Sequence, residues 1–333
     1  MLGMGIIMIH KFQRLISLVL ILIISVIGFG GCEDSSLSTQ ENKIKIKVIV
    51  KKKDASFYSV VRMGAEAAGK EFNVEVKFDG PDNEKDIEKQ IELVEDAIND
   101  HYDAIVLAAS DYTKLAGVVE KASNQNIPVI IIDSQLNSNR IKAFVGTDNL
   151  DAGTKLGQTL VKRVGTNCNI AVMNFMKGAA SSDLREKGVF QTIDKYPEIK
   201  VIANLYCNSD ESIAFELTKK IIKENINLNA IVCTNAQGTI GVARAVEAEQ
   251  LSGKIKIIGI DSTPEEISFV EAGVIEALVI QNPFNMGYLG VKYALNSIKN
   301  EAVPESSNTG LTIIDKDNMY QPENEKLVFP FTE

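Results

Sequence analysis

Four β-like runs of this chain end in a polar side chain that could bind hydroxyl groups. The clearest is Ile257-Ile258-Gly259-Ile260-Asp261-Ser262-Thr263-Pro264-Glu265-Glu266, where an apolar run stops at an aspartate and a Ser-Thr-Pro turn opens a helix. Val129–Ile132 stops at Asp133, Ala230–Thr234 is followed by Asn235, and Ile275–Ile280 by Gln281. In an open parallel α/β sheet, ligands bind outside the carboxyl ends of the strands. An aspartate there accepts two hydroxyl protons at once, and an asparagine donates and accepts together. Each position also has a plainer use: a turn, an Asx turn or a helix cap.

Catalytic chemistry finds little material. Asp133 and Asp261 could form a pair of carboxylates for glycoside hydrolysis. The only histidines are His10 and His101, which removes His-based acid–base and triad chemistry. No Gly-rich nucleotide motif follows a strand. Cys168, Cys207 and Cys233 form no CxxC or Cys/His spacing, so neither a metal site nor a cofactor is expected.

The elements that must position these groups alternate regularly. Strands are predicted over 44–50, 74–78, 104–108, 129–132 and 143–145, separated by helices over 59–72, 84–99 and 112–125. A second series has helices over 149–164, 181–195, 212–225, 237–249, 265–272 and 284–298. Its strands cover 169–173, 201–206, 230–234, 255–260, 275–280 and 312–314. Such alternation means βαβ units and parallel sheets. About ten strands exceed the needs of one doubly wound lobe. Two Rossmann-like α/β lobes with parallel sheets fit better, their facing strand ends forming a cleft.

The 333 residues are 45% hydrophobic and 24% charged, with a net charge of −9. Beyond Lys51-Lys52-Lys53 there is no basic cluster, so no nucleic-acid partner is expected, and that trio reads as a solvated strand end. Lys11 and Arg14 precede an apolar run, Leu15 to Phe29, of signal-peptide length. It closes on Phe29-Gly30-Gly31-Cys32, which resembles a bacterial lipobox, with Phe29 where leucine is usual. Residues 1–31 then form a lipoprotein signal peptide, Cys32 is the lipidated residue, and the polar stretch 32–42 is a tether. An ordinary secretory signal or a retained membrane helix are the alternatives.

Several motifs in order carry a family resemblance. They are Ala55-Ser56-Phe57-Tyr58, Ala109-Ser110-Asp111, Ile127-Pro128-Val129, Thr147-Asp148-Asn149, Arg185-Glu186-Lys187-Gly188, Thr234-Asn235, Gly259 to Pro264, and Gln281-Asn282-Pro283. From about Ile44 to Ile314 the chain resembles the sugar-binding proteins of ABC importers with the periplasmic-binding-protein type I fold, in the ribose- and galactose-binding branch. The resemblance implies a three-crossover hinge. Lobe one would be 43–147 plus 283–309 and lobe two 148–281 plus 310–333. It implies a monomer that captures a monosaccharide or a related polyol or furanose, without chemical change, for a transporter permease. The lipid anchor would hold it on the extracytoplasmic face of the membrane.

By the same resemblance, Phe57 and Tyr58 match the aromatics flanking the sugar. Arg185 matches an arginine that forks onto sugar oxygens. Asp133, Asn235 and Asp261 match hydroxyl-binding residues, and Gln281 meets the ligand from the hinge. Core packing for Phe57 and Tyr58, and a surface ion pair of Arg185 with Glu186 or Asp183, are the alternatives. The chain departs from the ribose-binding pattern at Lys51, Ala55, Ala108 and Ser134 in lobe one. In lobe two, Ser209 stands where an aromatic is expected. These departures point away from ribose itself. A lipoprotein of the same fold signalling to a membrane receptor or kinase would carry an identical site. A repressor of related fold would need an N-terminal helix-turn-helix where the apolar segment stands.

Overall fold

The computed structural model describes residues 43–225 and 227–329. Cys32, the expected signal and the tether lie outside the described residues. Two six-stranded sheets organise the rest. The first has the order β11-β5-β4-β3-β1-β2: β1 is Lys45–Ile49, β2 Glu75–Asp79, β3 Ala104–Leu107, β4 Val129–Ile132, β5 Ala143–Gly146 and β11 Ser306–Asn308. The second has the order β12-β10-β9-β8-β6-β7: β6 is Asn169–Asn174, β7 Lys200–Tyr206, β8 Leu228–Cys233, β9 Lys256–Ile260, β10 Ala277–Ile280 and β12 Thr312–Ile314. All strand pairs are parallel except β10 with β12. The sequence reading of two α/β lobes with largely parallel sheets is therefore the observed architecture.

The helices are α1 (Ser56–Glu71), α2 (Ile87–Asn99), α3 (Ala116–Asn124), α4 (Asn149–Val164), α5 (Ala180–Ile193), α6 (Glu211–Glu224), α7 (Ala236–Ala248), α8 (Pro264–Ala272), α9 (Pro283–Ile298) and α10 (Pro322–Val328). Each sheet has a core on both faces. That explains why β3 (AIVL), β4 (VIII) and β10 (ALVI) are apolar throughout instead of alternating, since every side chain meets a helical layer.

The chain passes between the sheets three times: from β5 into α4, from β10 into α9, and from β11 into β12. The two sheets share one strand order, so β4 and β9 hold equivalent places. Both finish alike. The amide of Asp133 still donates to Val145 O on neighbouring β5, at 3.0 Å, and that of Asp261 to Val279 O on β10, at 3.1 Å. The backbone then turns left-handed, with φ of 61° at Asp133 and 84° at Asp261. That turn ends each strand and throws its carboxylate into the space between the sheets.

Helix pairs flanking the sheets touch backbone to backbone at glycines. A Cβ on Gly153 of α4 would lie 2.0 Å from the Arg185 carbonyl of α5, and one on Gly287 of α9 would lie 1.9 Å from the Val61 carbonyl of α1. The first contact sets the depth at which Arg185 enters the cleft.

Candidate functional site

A pocket of about 480 Å³, counted to its mouth, lies between the two sheets. Phe57, Tyr58, Asp133, Arg185, Asn235, Asp261 and Gln281 all line it, so the structure brings every residue predicted to bind ligand together. A second space of about 480 Å³ lies on the hinge side, lined by Ser56, Val60, Ser262 and Phe284 and sharing Phe57, Asp261 and Gln281. It adds no charged group of its own beyond Lys326. The polar convergence marks the first pocket as the site.

On the second-sheet side, a directional hydrogen-bond chain holds the site. Arg185 is buried. It donates from Nε to Asn149 Oδ1 at 2.8 Å, from Nη1 to Thr234 O at 2.9 Å, and from Nη2 to Gln281 Oε1 at 2.9 Å. Gln281 in turn donates from Nε2 to Asp261 Oδ1 at 2.6 Å, and Asp261 Oδ2 accepts from Ala236 N at 3.2 Å. Arg185 also stands over the Phe175 ring, 5.7 Å from its centroid. A guanidinium has five N–H groups, so two remain beyond these three bonds.

Each alternative use can now be judged. Glu186 pairs with Asn204 and Tyr206 rather than Arg185, so Arg185 is no surface ion-pair residue. Asp261 does not cap its own helix: Thr263 does that, in a reciprocal capping box with Glu266. Asn235 does cap α7, accepting from Gly238 N at 2.9 Å, and lines the pocket as well. Tyr58 belongs both to the core of the first sheet and to the site, where its hydroxyl donates to Asp133 Oδ2 at 2.9 Å. Phe57 packs edge-on against it, with ring centroids 5.2 Å apart.

Lys51 corrects the sequence reading. It is 2% exposed, not a solvated strand end. Its ammonium pairs with Asp133 Oδ2 at 2.9 Å, lies 3.8 Å from Glu84 Oε1, and donates to Ser181 Oγ at 3.0 Å. Lys51 just follows β1 as Asp133 follows β4, and that position was the available signal. Glu84, Ser181 and Ser209 were also not foreseen as site residues, yet all three line the pocket. Glu84 sits in the turn before α2, not in the helix the periodicity suggested.

Contacts from one lobe to the other close the cleft. Lys51 reaches Ser181, the Ser181 amide donates to Ser134 Oγ at 3.3 Å, and Ser209 Oγ donates to Glu84 Oε2 at 2.5 Å. Tyr112 N donates to Gly178 O at 2.9 Å. Asn149, at the first crossover, ties the two half-sites: it donates to Asp133 O at 3.2 Å while accepting from Arg185.

Burial shapes the electrostatics. It raises the Asp261 carboxyl above its ordinary value, against the pull of Arg185 and the Gln281 hydrogen bond. Behind it, fully buried Glu266 is pushed well above the carboxylate range, first by burial and then by the charge of Asp261. Burial, with the charge of Asp133 second, also pushes the Tyr58 phenol well up. Among the described residues no group of three or more His, Cys, Asp or Glu is placed to hold a metal ion, and no helix is long and apolar enough to cross a membrane.

Comparison with known proteins agrees with this geometry. Over 264 residues the chain is 29% identical to the D-allose-binding periplasmic protein of Escherichia coli, covering 77% of this chain and 85% of that one. A carbohydrate-transporter solute-binding protein from Agrobacterium radiobacter, solved with D-arabinose, superposes with a TM-score of 0.84 at 30% identity, covering 86% of this chain and 99% of that one. An ABC-transporter solute-binding protein from Agrobacterium vitis, solved with D-fucose, gives 0.83 at 34% identity, covering 85% and 99%. The family model of the periplasmic binding protein domain matches residues 46–302, and the chain belongs to that family.

Proposed function

We propose that this protein captures a monosaccharide or a sugar-like polyol between its lobes, without chemical change, and delivers it to an ABC transporter. One observation carries the reading. Two strand-end carboxylates, Asp133 and Asp261, face a shared pocket from equivalent places in the two sheets, with Arg185, Asn235 and Gln281 between them. A ring of hydroxyls needs such a mixture of acceptors and fixed donors. Phe57 and Phe175 supply apolar faces for the C–H side of the ring. Relatives that bind D-allose, D-arabinose and D-fucose support the ligand class.

Lobe one is taken as 43–147 plus 283–309 and lobe two as 148–281 plus 310–333, with hinge motion at the three crossovers. Residues 1–31 are read as a lipoprotein signal, Cys32 as the anchor that keeps the protein on the extracytoplasmic face of the membrane, and 32–42 as the tether. The working form is a monomer.

The test is a thermal-shift screen against aldoses, ketoses, polyols and furanose derivatives, followed by calorimetry and chromatography of the released ligand. The expected result is a raised melting temperature, one ligand per chain, and recovery of the sugar unaltered. A rise with amino acids or nucleosides and none with any sugar overturns the reading.

A further inference from the structure

One carboxylate of the pocket has an oxygen that the contact between the lobes does not use. Glu84 is 8% exposed and lines the pocket. Its Oε2 accepts from Ser209, but its Oε1 has no hydrogen-bond partner among the described residues. Native proteins rarely leave a buried carboxylate oxygen unpaired, since that costs the desolvation of a charged group. The nearest cation, Lys51 Nζ, lies 3.8 Å away, too far for a direct hydrogen bond. That separation suits a third atom. Oε1 is closed to water in the cleft as it stands, so a ligand hydroxyl reaches it as the side chains part around the sugar; an oxygen about 2.8 Å from each would then accept from the ammonium and donate to the carboxylate.

We infer that Glu84 is a specificity-determining residue that, together with Lys51, reads one neutral hydroxyl of the ligand. The inference rests on the sugar-binding reading above. Lys51 is already paired with Asp133, so it is no spare cation for an anionic ligand. A carboxylate or phosphate placed beside Glu84 would set like charge against it at short range. The pocket as a whole carries three carboxylates, Glu84, Asp133 and Asp261, and three cations, Lys51, Lys52 and Arg185, so it offers an anionic ligand no net attraction. The ligand class is therefore a neutral sugar with a free hydroxyl beside Glu84, and a sugar with its anionic group at that place is disfavoured. The serine in place of an expected aromatic at Ser209 fits this reading, because it leaves room for Glu84 and supplies its other partner.

Calorimetry with D-allose, D-ribose, D-arabinose and D-fucose, and with D-galacturonate and ribose 5-phosphate, tests the inference on wild type, Asp261→Ala, Glu84→Gln, Ser209→Ala and the Glu84→Gln/Ser209→Ala double variant. Glu84→Gln keeps the shape and can still accept from Ser209. It should weaken the preferred neutral sugar roughly 10- to 100-fold, the worth of a charge-assisted hydrogen bond. The melting temperature without sugar should hold, and Ser209→Ala should cost much less. Deoxygenating the sugar at one carbon should weaken binding to wild type, and that loss should vanish in Glu84→Gln.

Three results overturn the inference while leaving the function intact. In the first, Glu84→Gln binds like wild type although Asp261→Ala does not. In the second, Ser209→Ala matches the loss of Glu84→Gln and the double variant adds nothing, which makes Glu84 a clasp between lobes only. In the third, which needs no variant of Glu84, wild type binds an anionic sugar more tightly than any neutral one. Binding of none of these sugars by wild type overturns the functional reading, and this inference with it.

Discussion

The chain from Arg185 through Gln281 to Asp261 has only one workable orientation, and that makes a sharp prediction. Arg185 Nη2 is a donor only, so Gln281 must turn its oxygen toward it, and its amide nitrogen then faces Asp261. Ala236 N is also a donor only. Asp261 therefore needs two acceptors, which a carboxylate has and an amide lacks. Asp261→Asn is nearly isosteric, yet either flip sets an NH₂ against a donor. One buried donor is left unsatisfied, at a cost of about 1–3 kcal/mol. Adding Gln281→Glu repairs the chain by reversal. A carboxylate at that place accepts from Arg185 and from the new amide, whose oxygen accepts from Ala236 N. The assay is urea unfolding at neutral pH of the ligand-free single and double variants. The loss of the Asp261 charge also relieves Glu266, but both variants share that change, so it cancels in the comparison. The double variant should regain at least about 1 kcal/mol over Asp261→Asn, the size of coupling seen between contacting residues. A double variant no more stable than the single one refutes the orientation argument.

Other perturbations test neighbouring parts of the site. Lys51→Met strips the cation from Asp133 and Glu84 and should cost about 3–5 kcal/mol at pH 7. Urea unfolding of the variant beside wild type would show the deficit, and equal stability would count against the pairing. Glu266 has a raised folded pKa, so the folded state holds its proton more tightly than the unfolded chain. Stability is then greatest in acid and falls as pH climbs from the ordinary glutamate value of about 4.3 toward the raised one. Glu266→Gln, whose amide oxygen can still accept from Thr263, should flatten that slope; an unchanged slope counts against Glu266 as its source. Gly153→Ala should drive α4 from α5 and displace Arg185, weakening sugar binding at least about tenfold, since small misplacement of a binding group is costly. Equal affinity in calorimetry would show that the cleft does not depend on that contact.

Much of the fold was legible because parallel strands buried on both faces leave long apolar runs. The 129–132 strand and the 149–164 helix were read to the residue. What escaped had no such signature. β11 is Ser306-Ser307-Asn308, a polar edge strand defined by main-chain pairing with β5. The short helix Pro322–Val328 has little apolar periodicity to show. In the site, strand-end aspartates stood out because an apolar run stopping at a carboxylate is conspicuous. Lys51 was hidden by its neighbours: two further lysines make the trio look like a wet surface, although the first is buried and the second, half-buried, also lines the pocket. Glu84 and Ser209 come from turns, where sequence periodicity says nothing about direction. Their meeting across the cleft is a tertiary event separated by 125 residues.

The left-handed backbone at Asp133 and Asp261 also limits how this cleft can be inherited. Few side chains tolerate that conformation: glycine does so freely, asparagine and aspartate more readily than the rest, and other residues pay about 1–2 kcal/mol. The two positions therefore have a short alphabet, and only its aspartate is a pure acceptor. Descendants that adopt a new ligand are steered toward changing positions with ordinary backbone. Ser209, with φ of 55°, shares the constraint of the aspartates, whereas Glu84 lines the pocket and Ser134 meets the facing lobe from turns, and Lys51 lines the pocket from just past β1, none of them left-handed. Ligand identity can drift there while the paired aspartates persist as a fixed frame.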